Sequence, residues 1–301
     1  MNTKTRQIVL PLITAIIWGV AFVAQKSGAE TLGPFTFSWT RYFLAALVLI
    51  VFLLLRGRRS GRAPFSENRR VLLRGGLVMG TLLMVASNLQ QYGVGMTSAG
   101  KAGFITALYI VLVPLFGLFL GKRVRLAVWC GVAVAVAGLY FLCFAVGGEV
   151  SFTPGDFFVF LSALVFTLHI LAIDHYTKLA DGVELACLQF AVAVVESLAF
   201  AAVFEGFPVP AILDSWLPIL YAGAISGGVG YTLQVVAQKD GEPAVVSLLL
   251  SLESFFAVVS GALILGERLT PREYLGCALI LCAVVLVQLP EKQQPEGVKK
   301  A

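Results

Sequence analysis

The sequence is short of charge. Asp, Glu, Lys and Arg make up 13% of its 301 residues, whereas a soluble domain carries about 25%. Hydrophobic residues make up 58% of the chain and occur in long runs that a soluble core does not need. The scarcity of charge therefore argues against a soluble protein, and the excess of apolar surface predicts contact with lipid.

Other absences narrow the function. The five cysteines are odd in number, lie within apolar runs and show no framework spacing, so no disulfide scaffold is expected. No nucleotide-binding cassette is present: the glycine-rich run 227–230 follows no predicted strand and precedes no lysine. We therefore expect no ATP-driven mechanism, no cofactor and no metal. The net charge of +5 comes from short loops beside apolar runs, which indicates membrane orientation and no nucleic-acid partner.

Ten apolar runs are long enough to cross a bilayer as helices. They predict an all-α polytopic membrane protein with helices at about 8–26, 35–55, 72–95, 100–120, 126–146, 155–175, 183–205, 216–237, 243–265 and 272–289. The first run is interpreted as a retained helix because no small-residue cleavage site follows it. The tail from residue 291 is polar and is predicted to be disordered.

The distribution of Lys and Arg predicts the orientation. With the N-terminus inside, the cytoplasmic segments hold seventeen of these residues and the outer loops hold four, while Arg41 lies within the second helix. Such an excess marks the cytoplasmic side. We therefore expect a multi-pass protein of the cell inner membrane with both termini in the cytoplasm, as a monomer or homodimer.

The two halves of the chain repeat. Gly121-Lys122-Arg123 after the fourth helix matches Gly266-Glu267-Arg268 after the ninth, and Gly131 matches Gly276 at the same offset. Slightly different offsets pair Gln90 with Gln234, Trp18 with Phe166 and Arg41 with Gln189. Because each half contains five helices, the second enters the membrane upside down relative to the first. The prediction is two inverted five-helix repeats, residues 1–148 and 149–290, followed by the tail 291–301, with a solute site between them.

At this point the sequence resembles the drug/metabolite transporter superfamily, in its ten-helix EamA-type branch. The resemblance spans about residues 8–289 and rests on the order of several short motifs: Trp18-Gly19, Arg41 within 39–43, Pro114 ahead of Gly121-Lys122-Arg123, and Leu252-Glu253-Ser254 ahead of Leu265-Gly266-Glu267-Arg268. Ser254 departs from the usual pattern, which has proline after Leu-Glu. The resemblance implies carriage of small metabolites, with exporters of amino acids and their derivatives in the branch.

Two glutamates lie at membrane depth. Glu253 is near the middle of the ninth helix and Glu196 near the middle of the seventh, where the repeat has Leu108 and Val48. An ionisable group there costs about 2.5–3.5 kcal/mol on insertion scales, so it should face a cavity or a partner. Glu253 is a candidate to bind a solute ammonium or a coupling proton, and Glu196 is a second proton candidate. Either carboxyl can instead hold two helices together.

Helical spacing groups further polar and aromatic residues. Their amides, hydroxyls and rings suit a neutral or zwitterionic solute, although the same groups commonly link helices in lipid. With Glu253, the candidate substrate-binding residues are Trp18, Phe22, Asn88, Gln91, Thr106, Tyr109, Tyr231 and Gln234.

Two further ionisable residues have open roles. Arg41 can bind a carboxylate bidentately or extend toward the outer interface, which its position permits, and the structural role is the favoured interpretation. His169 is a third proton-coupling candidate because the free pKa of histidine is about 6.5. A neutral, hydrogen-bonded His169 is the preferred interpretation.

The leading hypothesis is a secondary transporter that exports small metabolites such as amino acids by alternating access. A proton-coupled efflux carrier for cationic drugs, with Glu253 as counter-ion, is the close alternative. A membrane-embedded enzyme or receptor is the alternative of another class, but the sequence lacks a cluster of His, Asp, Glu or Cys beyond Asp174 and His175. A passive channel would be distinguished from a carrier by the absence of saturation and counterflow.

Overall fold

In the computed structural model, residues 3–61, 63–97, 99–122, 124–143, 153–239, 241–265 and 271–288 are described, and their regular secondary structure is entirely helical. The predicted disordered tail and the loop at 266–270 lie outside the described residues. In chain order the elements are α1 Thr3–Ala29, α2 Pro34–Ser60, α3 Arg69–Met96, α4 Ala99–Thr106, α5 Tyr109–Phe119, α6 Leu126–Cys143, α7 Pro154–Tyr176, α8 Gly182–Phe204, α9 Val209–Asp214, α10 Trp216–Leu220, a π-helix Tyr221–Tyr231, α11 Thr232–Gln238, α12 Pro243–Leu250, α13 Leu252–Leu265 and α14 Pro271–Gln288.

Seven helical stretches within the described residues are long and apolar enough to cross a bilayer. They are Arg6–Ala29, Pro34–Ser60, Arg69–Met96, Pro154–Tyr176, Gly182–Phe204, Trp216–Gln238 and Pro243–Ile264. Three shorter apolar helices accompany them, at Tyr109–Phe119, Leu126–Gly138 and Tyr274–Leu286. The expected class of all-helical, multi-pass membrane protein is confirmed at this level, while the count of ten and the inversion stay predictions.

Two of the predicted helices are interrupted near their middles. The run at 100–120 divides into α4 and α5 around residues 107–108, and the run at 243–265 divides into α12 and α13 at Ser251. Two serine hydroxyls donate to backbone carbonyls beside the second break. Ser251 Oγ donates to Leu248 O at 2.7 Å, and Ser254 Oγ donates to Gly103 O at 3.1 Å. When Gly121 is aligned with Gly266, the two breaks fall at nearly the same position.

The predicted helix at 216–237 contains a π-helix in place of regular α-helix. Its glycines bring it close to α2, because a Cβ at Gly223 would lie 2.6 Å from the carbonyl oxygen of Arg41. Donors on α1 bond to π-helix carbonyls: Trp18 Nε1 to Ser226 O and Thr14 Oγ1 to Gly230 O, each at 3.3 Å. π-helices are rare and occur mostly as single-turn bulges within α-helices, frequently at functional sites.

Helices from the two halves of the chain pack against each other. Helix α3 contacts α7 and α8, α2 contacts α8 and the π-helix, α1 contacts α13, and α6 contacts α14. Small residues allow these approaches. A Cβ at Gly19 would lie 2.3 Å from Phe256 Cβ on α13, and one at Gly138 would lie 2.9 Å from the carbonyl oxygen of Gly276 on α14. The arrangement leaves a central space bounded by α1, the breaks and the π-helix.

Ion pairs tie helix ends together at one end of the bundle, here named the basic end. Buried Asp174 pairs with both Lys122 and Lys178. The guanidinium of Arg56 donates to both carboxylate oxygens of Asp181, at 3.1 and 3.2 Å. Partial burial would raise the pKa of the Asp181 carboxyl, but the hydrogen bonds from Arg56 and from the first backbone N–H groups of α8 outweigh it and lower that pKa below its ordinary 3.8. These ion pairs link the end of α2 to the start of α8, and the end of α7 to Lys122 in the turn after α5.

The opposite end, here named the capped end, is held by bonds to backbone groups. The Glu205 carboxylate accepts from the backbone N–H groups of Phe35 at 3.0 Å and Thr36 at 2.7 Å, which caps the start of α2. Lys26 Nζ donates to the carbonyls of Val94 and Thr97 at the end of α3.

Candidate functional site

A central cavity lies where the helix breaks and the π-helix meet. The space between the atoms of its lining is about 530 Å³, including the part that is open at its mouth. It is lined by Trp18, Ala21, Phe22, Gln25, Arg41, Gln90, Thr106, Tyr109, Phe166, His169, Ile170, Ser226, Tyr231, Gln234 and Glu253.

Glu253 joins the two helix breaks through Tyr109. The phenolic O–H of Tyr109 donates to Glu253 Oε1 at 2.9 Å, and both side chains are buried. Glu253 lies in the first turn of α13, and Tyr109 is the first residue of α5. A carboxyl group in the first turn of a helix is favoured by the helix dipole. Within the described part of the chain, no cation lies at ion-pair distance from Glu253.

Aromatic rings form one wall of the cavity. The ring centroids of Trp18 and Tyr231 are 4.6 Å apart, and those of His169 and Tyr231 are 6.2 Å apart. Tyr231 ends the π-helix, so the position of its ring depends on that element. Rings contacting each other in this way give a rigid apolar surface with polar edges.

Amide and imidazole groups supply polar contacts on the other walls. Gln90 Nε2 donates to Thr106 Oγ1 at 3.1 Å, which leaves the Gln90 carbonyl oxygen available. His169 Nε2 donates to Gln189 Oε1 at 3.0 Å, as in the preferred sequence interpretation of a hydrogen-bonded histidine. Gln234 Oε1 is buried and has no hydrogen-bond partner among the described residues. The cavity thus combines apolar walls with a few polar groups.

Arg41 also lies on the cavity wall. Its side chain is only 6% exposed, and its guanidinium packs over the rings of Phe37 and Tyr42 at 5.3 and 4.8 Å. One N–H group donates to Tyr42 Oη at 3.1 Å. Arg41 therefore stays at the cavity wall. The favoured structural interpretation expected it to extend toward the outer interface.

Three of the sequence-predicted site residues lie away from the cavity lining. Asn88 Nδ2 donates to the Met84 carbonyl at 2.8 Å and to Ser197 Oγ at 3.3 Å. Gln91 Nε2 donates to the carbonyl of Gln25 at 2.9 Å. Thr81 Oγ1 donates to Glu196 Oε1 at 2.7 Å, between α3 and α8. In this structure these three groups link helices.

A second, largely apolar groove of about 1120 Å³, including open space, runs along the outside of the bundle near the capped end. Rings of α2 and α8 stack along it, with the centroids of Phe35 and Phe200 5.2 Å apart. Asn88 is among its lining residues. Its apolar character is that of a surface in contact with lipid.

The comparison with known proteins identifies the family. The model of the EamA-like transporter family matches this chain twice, over residues 5–144 and 153–289. The chain belongs to the EamA-like transporter family. Both matched EamA segments contribute to the cavity, since α1 to α5 lie in the first and α7, the π-helix, α11 and α13 lie in the second. The expected membership of the drug/metabolite transporter type is confirmed.

Several relatives align along nearly the whole chain. An uncharacterized transporter of Archaeoglobus fulgidus is 31% identical over 92% of this chain and 84% of its own length. The uncharacterized inner membrane transporter YedA of Escherichia coli is 27% identical over 95% and 93%. A protein named as a probable terminal-alkyne amino-acid exporter of Streptantibioticus cattleyicolor is 27% identical over 92% and 91%.

A solved crystal structure shares the fold. It aligns with a TM-score of 0.77 over 94% of this chain and 96% of that chain. The sequence identity is 18%, so this likeness shows a shared fold and nothing about the solute. The family match and the apolar helices together indicate a multi-pass membrane transporter.

The cavity contains residues that sequence reasoning did not select. Gln90, Phe166 and Ser226 line it. The internal repeat carried a signal for two of these residues, because it pairs Gln90 with Gln234 and Phe166 with Trp18, which were both selected. Ser226 contributes its backbone carbonyl to Trp18, a role that residue type does not reveal. Among the described residues, no group of three His, Cys, Asp or Glu is placed to hold a metal ion.

Proposed function

We propose that this EamA-like chain is a secondary carrier that exports amino acids or similar small metabolites by alternating access. The observation that carries the proposal is the central cavity, in which an acidic side chain lies between two broken helices from different EamA segments. Broken helices at corresponding positions of two repeats are a common place for solute sites in secondary transporters. The amino-acid exporter among the relatives supports the choice of solute class.

The proposed architecture is ten crossings in two inverted halves. It is supported by the seven long and three shorter apolar helices and by the two family matches of similar length. The proposed orientation puts the basic end in the cytoplasm, with both termini, because arginine and lysine are concentrated there. Single cysteines at 122 and 268 on a cysteine-free background test it: a membrane-impermeant maleimide should label them from opposite sides. Labelling from one side would contradict the inversion.

The transport cycle follows from the two ends of the bundle. The pairs of Asp174 with Lys122 and Lys178, and of Arg56 with Asp181, hold the basic end together. Rocking of one half against the other separates these pairs and opens the cavity toward the cytoplasm. Solute then binds in the cavity beside Glu253, and it leaves when the basic end has closed again and the capped end has opened.

Counterflow in proteoliposomes tests the function. Vesicles loaded with an unlabelled amino acid should accumulate the labelled one transiently and with saturation, across a panel of the twenty proteinogenic amino acids. Glu253→Gln should abolish this exchange or its pH dependence, because the variant removes the ionisable group from the cavity. Glu30→Gln is the matched control, since it makes the same change at an exposed glutamate outside the cavity lining and should leave exchange unchanged.

The outcomes separate the alternatives. Counterflow of organic cations without counterflow of amino acids would indicate that the protein exports cations and not amino acids. Flux that neither saturates nor shows counterflow would indicate a channel. Turnover of a lipid without movement of any solute would indicate an enzyme.

A further inference from the structure

Arg41 is a buried cation without a carboxylate partner. Its side chain is 94% removed from solvent, its Nε group has no hydrogen-bond partner, and no described Asp or Glu lies within ion-pair distance of it. Tyr42 Oη is the sole acceptor of its guanidinium among the described residues. A buried charge in a membrane protein is costly unless it is paired. An unpaired guanidinium at this position therefore indicates that its partner is the transported solute.

The fold fixes the guanidinium at the cavity and prevents it from reaching the end of the bundle. Phe37 and Tyr42 hold it by cation–π contact. The backbone of α2 at Arg41 is clamped against the π-helix, where a Cβ at Gly223 would lie 2.6 Å from the Arg41 carbonyl oxygen and 2.8 Å from Leu44 Cβ. Glycine at 223 is therefore what lets α2 approach closely enough to place Arg41 on the cavity wall.

Glu253 is the opposite charge on the same cavity. Arg41 and Glu253 both line it, yet they do not pair with each other. Tyr231 lies within electrostatic range of both. One carboxylate oxygen of Glu253 accepts a hydrogen bond from Tyr109. The cavity thus presents one cation and one anion at separate places on its wall.

We propose that Arg41 binds the carboxylate of a zwitterionic solute whose ammonium group faces Glu253. This inference rests on the proposed function and names the recognition chemistry of the same site. A planar guanidinium with several free N–H groups matches a carboxylate bidentately. A solute that carries both charges pairs with both side chains. A simple organic cation leaves Arg41 unpaired, and a simple anion leaves Glu253 unpaired.

Matched ligands separate the two charged contacts. The probes are the twenty proteinogenic amino acids and, for phenylalanine, the two analogues that lack one charged group: phenethylamine and 3-phenylpropionate. Binding is measured by thermal shift and calorimetry on the purified full-length chain, and exchange by counterflow. We expect amino acids to bind, and each single-charge analogue of a bound amino acid to bind at least about tenfold more weakly.

Substitutions then assign the carboxylate contact. Arg41→Gln should weaken amino-acid binding about tenfold or more while leaving the amine analogue unchanged or tighter, because the unpaired cation that repels it is gone. Glu253→Gln should show the reverse selectivity and spare the acid analogue. Arg59→Gln is the matched control, since Arg59 is an exposed arginine on the same helix outside the cavity.

The results distinguish this inference from the function on which it rests. If amino acids are exchanged but the amine binds as well as the amino acid, or Arg41→Gln weakens amine and amino acid equally, the role of Arg41 is wrong and the carrier function stands. If no amino acid binds or exchanges, the amino-acid function and the zwitterion site both fail. Retained binding of the amine by Arg41→Gln also shows that the variant is folded.

Discussion

Gly230 sets the position of the aromatic wall, and Gly230→Ala should displace it. A Cβ at this position would lie 2.7 Å from Trp18 Nε1 and 3.2 Å from Trp18 Cδ1. Ordinary contact begins at 3.4 Å, so the indole has to move by at least about 0.7 Å. It cannot move freely, because Nε1 donates to Ser226 O and the ring contacts Tyr231 at a centroid distance of 4.6 Å.

The size of the effect follows from the cost of overpacking. Extra methyl groups in a packed interior cost about 1–3 kcal/mol. If that cost appears in solute binding, affinity falls by about 5- to 150-fold, since 1.4 kcal/mol corresponds to tenfold. Displacements of about 1 Å at a positioned group have comparable consequences.

Gly228→Ala is the control for this prediction. Residue 228 lies on the same π-helix as residue 230 but does not line the cavity, and its added Cβ would lie 3.1 Å from Val48 Cγ1 on α2. Thermal stability and solute binding are measured for both variants with the amino acid that counterflow selects. Gly228→Ala should lose stability without losing affinity. Equal affinity in wild type and Gly230→Ala would refute the assignment of Trp18 to the solute site.

Three further predictions concern stability. Arg56→Gln should destabilise the protein by about 1 kcal/mol at neutral pH. Because the pKa of Asp181 is lowered on folding, this stabilisation is fully present above pH 3.8 and is lost as the pH falls through the lower pKa of the folded state. Thermal melts of wild type and variant should therefore differ at neutral pH and converge only as the pH falls below that folded-state pKa. Gly19→Ala should lower the melting temperature sharply since its Cβ meets side-chain and backbone atoms at 2.3–2.8 Å, whereas Gly103→Ala, with no contact closer than 3.8 Å, should not; equal melting temperatures would contradict the packing. Glu205→Ala should cost about 1 kcal/mol by uncapping α2, and an unchanged melt would remove that role.

The helices and the acidic centre were predictable from the sequence. Apolar runs locate membrane helices because every backbone polar group in lipid must be bonded within its own segment. Glu253 was found because a carboxyl group within an apolar run needs a partner or a cavity. Trp18, Phe22 and Tyr231 were selected by helical spacing, and the structure places all three on the cavity.

The breaks and the π-helix were not predictable from hydropathy. No proline occurs at 107–108 or at Ser251, and hydropathy does not distinguish an interrupted helix from a continuous one. Serine hydroxyls that bond to carbonyls in this region depend on neighbours distant in sequence, such as Gly103 for Ser254. The π-helix likewise depends on donors supplied by α1.

Helix α3 shows why the choice of polar residues was incomplete. Asn88, Gln90 and Gln91 are all buried, because α3 packs against several helices. Polarity on such a helix marks links between helices as well as cavity walls. Spacing selected Asn88 and Gln91, while the structure places Gln90 at the cavity. Arg41 had the same ambiguity, since its location depends on how closely the π-helix approaches α2.

Density for the bound solute tests the central claim most directly. A structure of the protein saturated with the amino acid that gives counterflow should show that molecule in the central cavity, with its ammonium group beside Glu253 and its carboxylate beside Arg41. An empty central cavity at saturation, with the amino acid bound in the apolar groove between α3 and α8, would contradict the account.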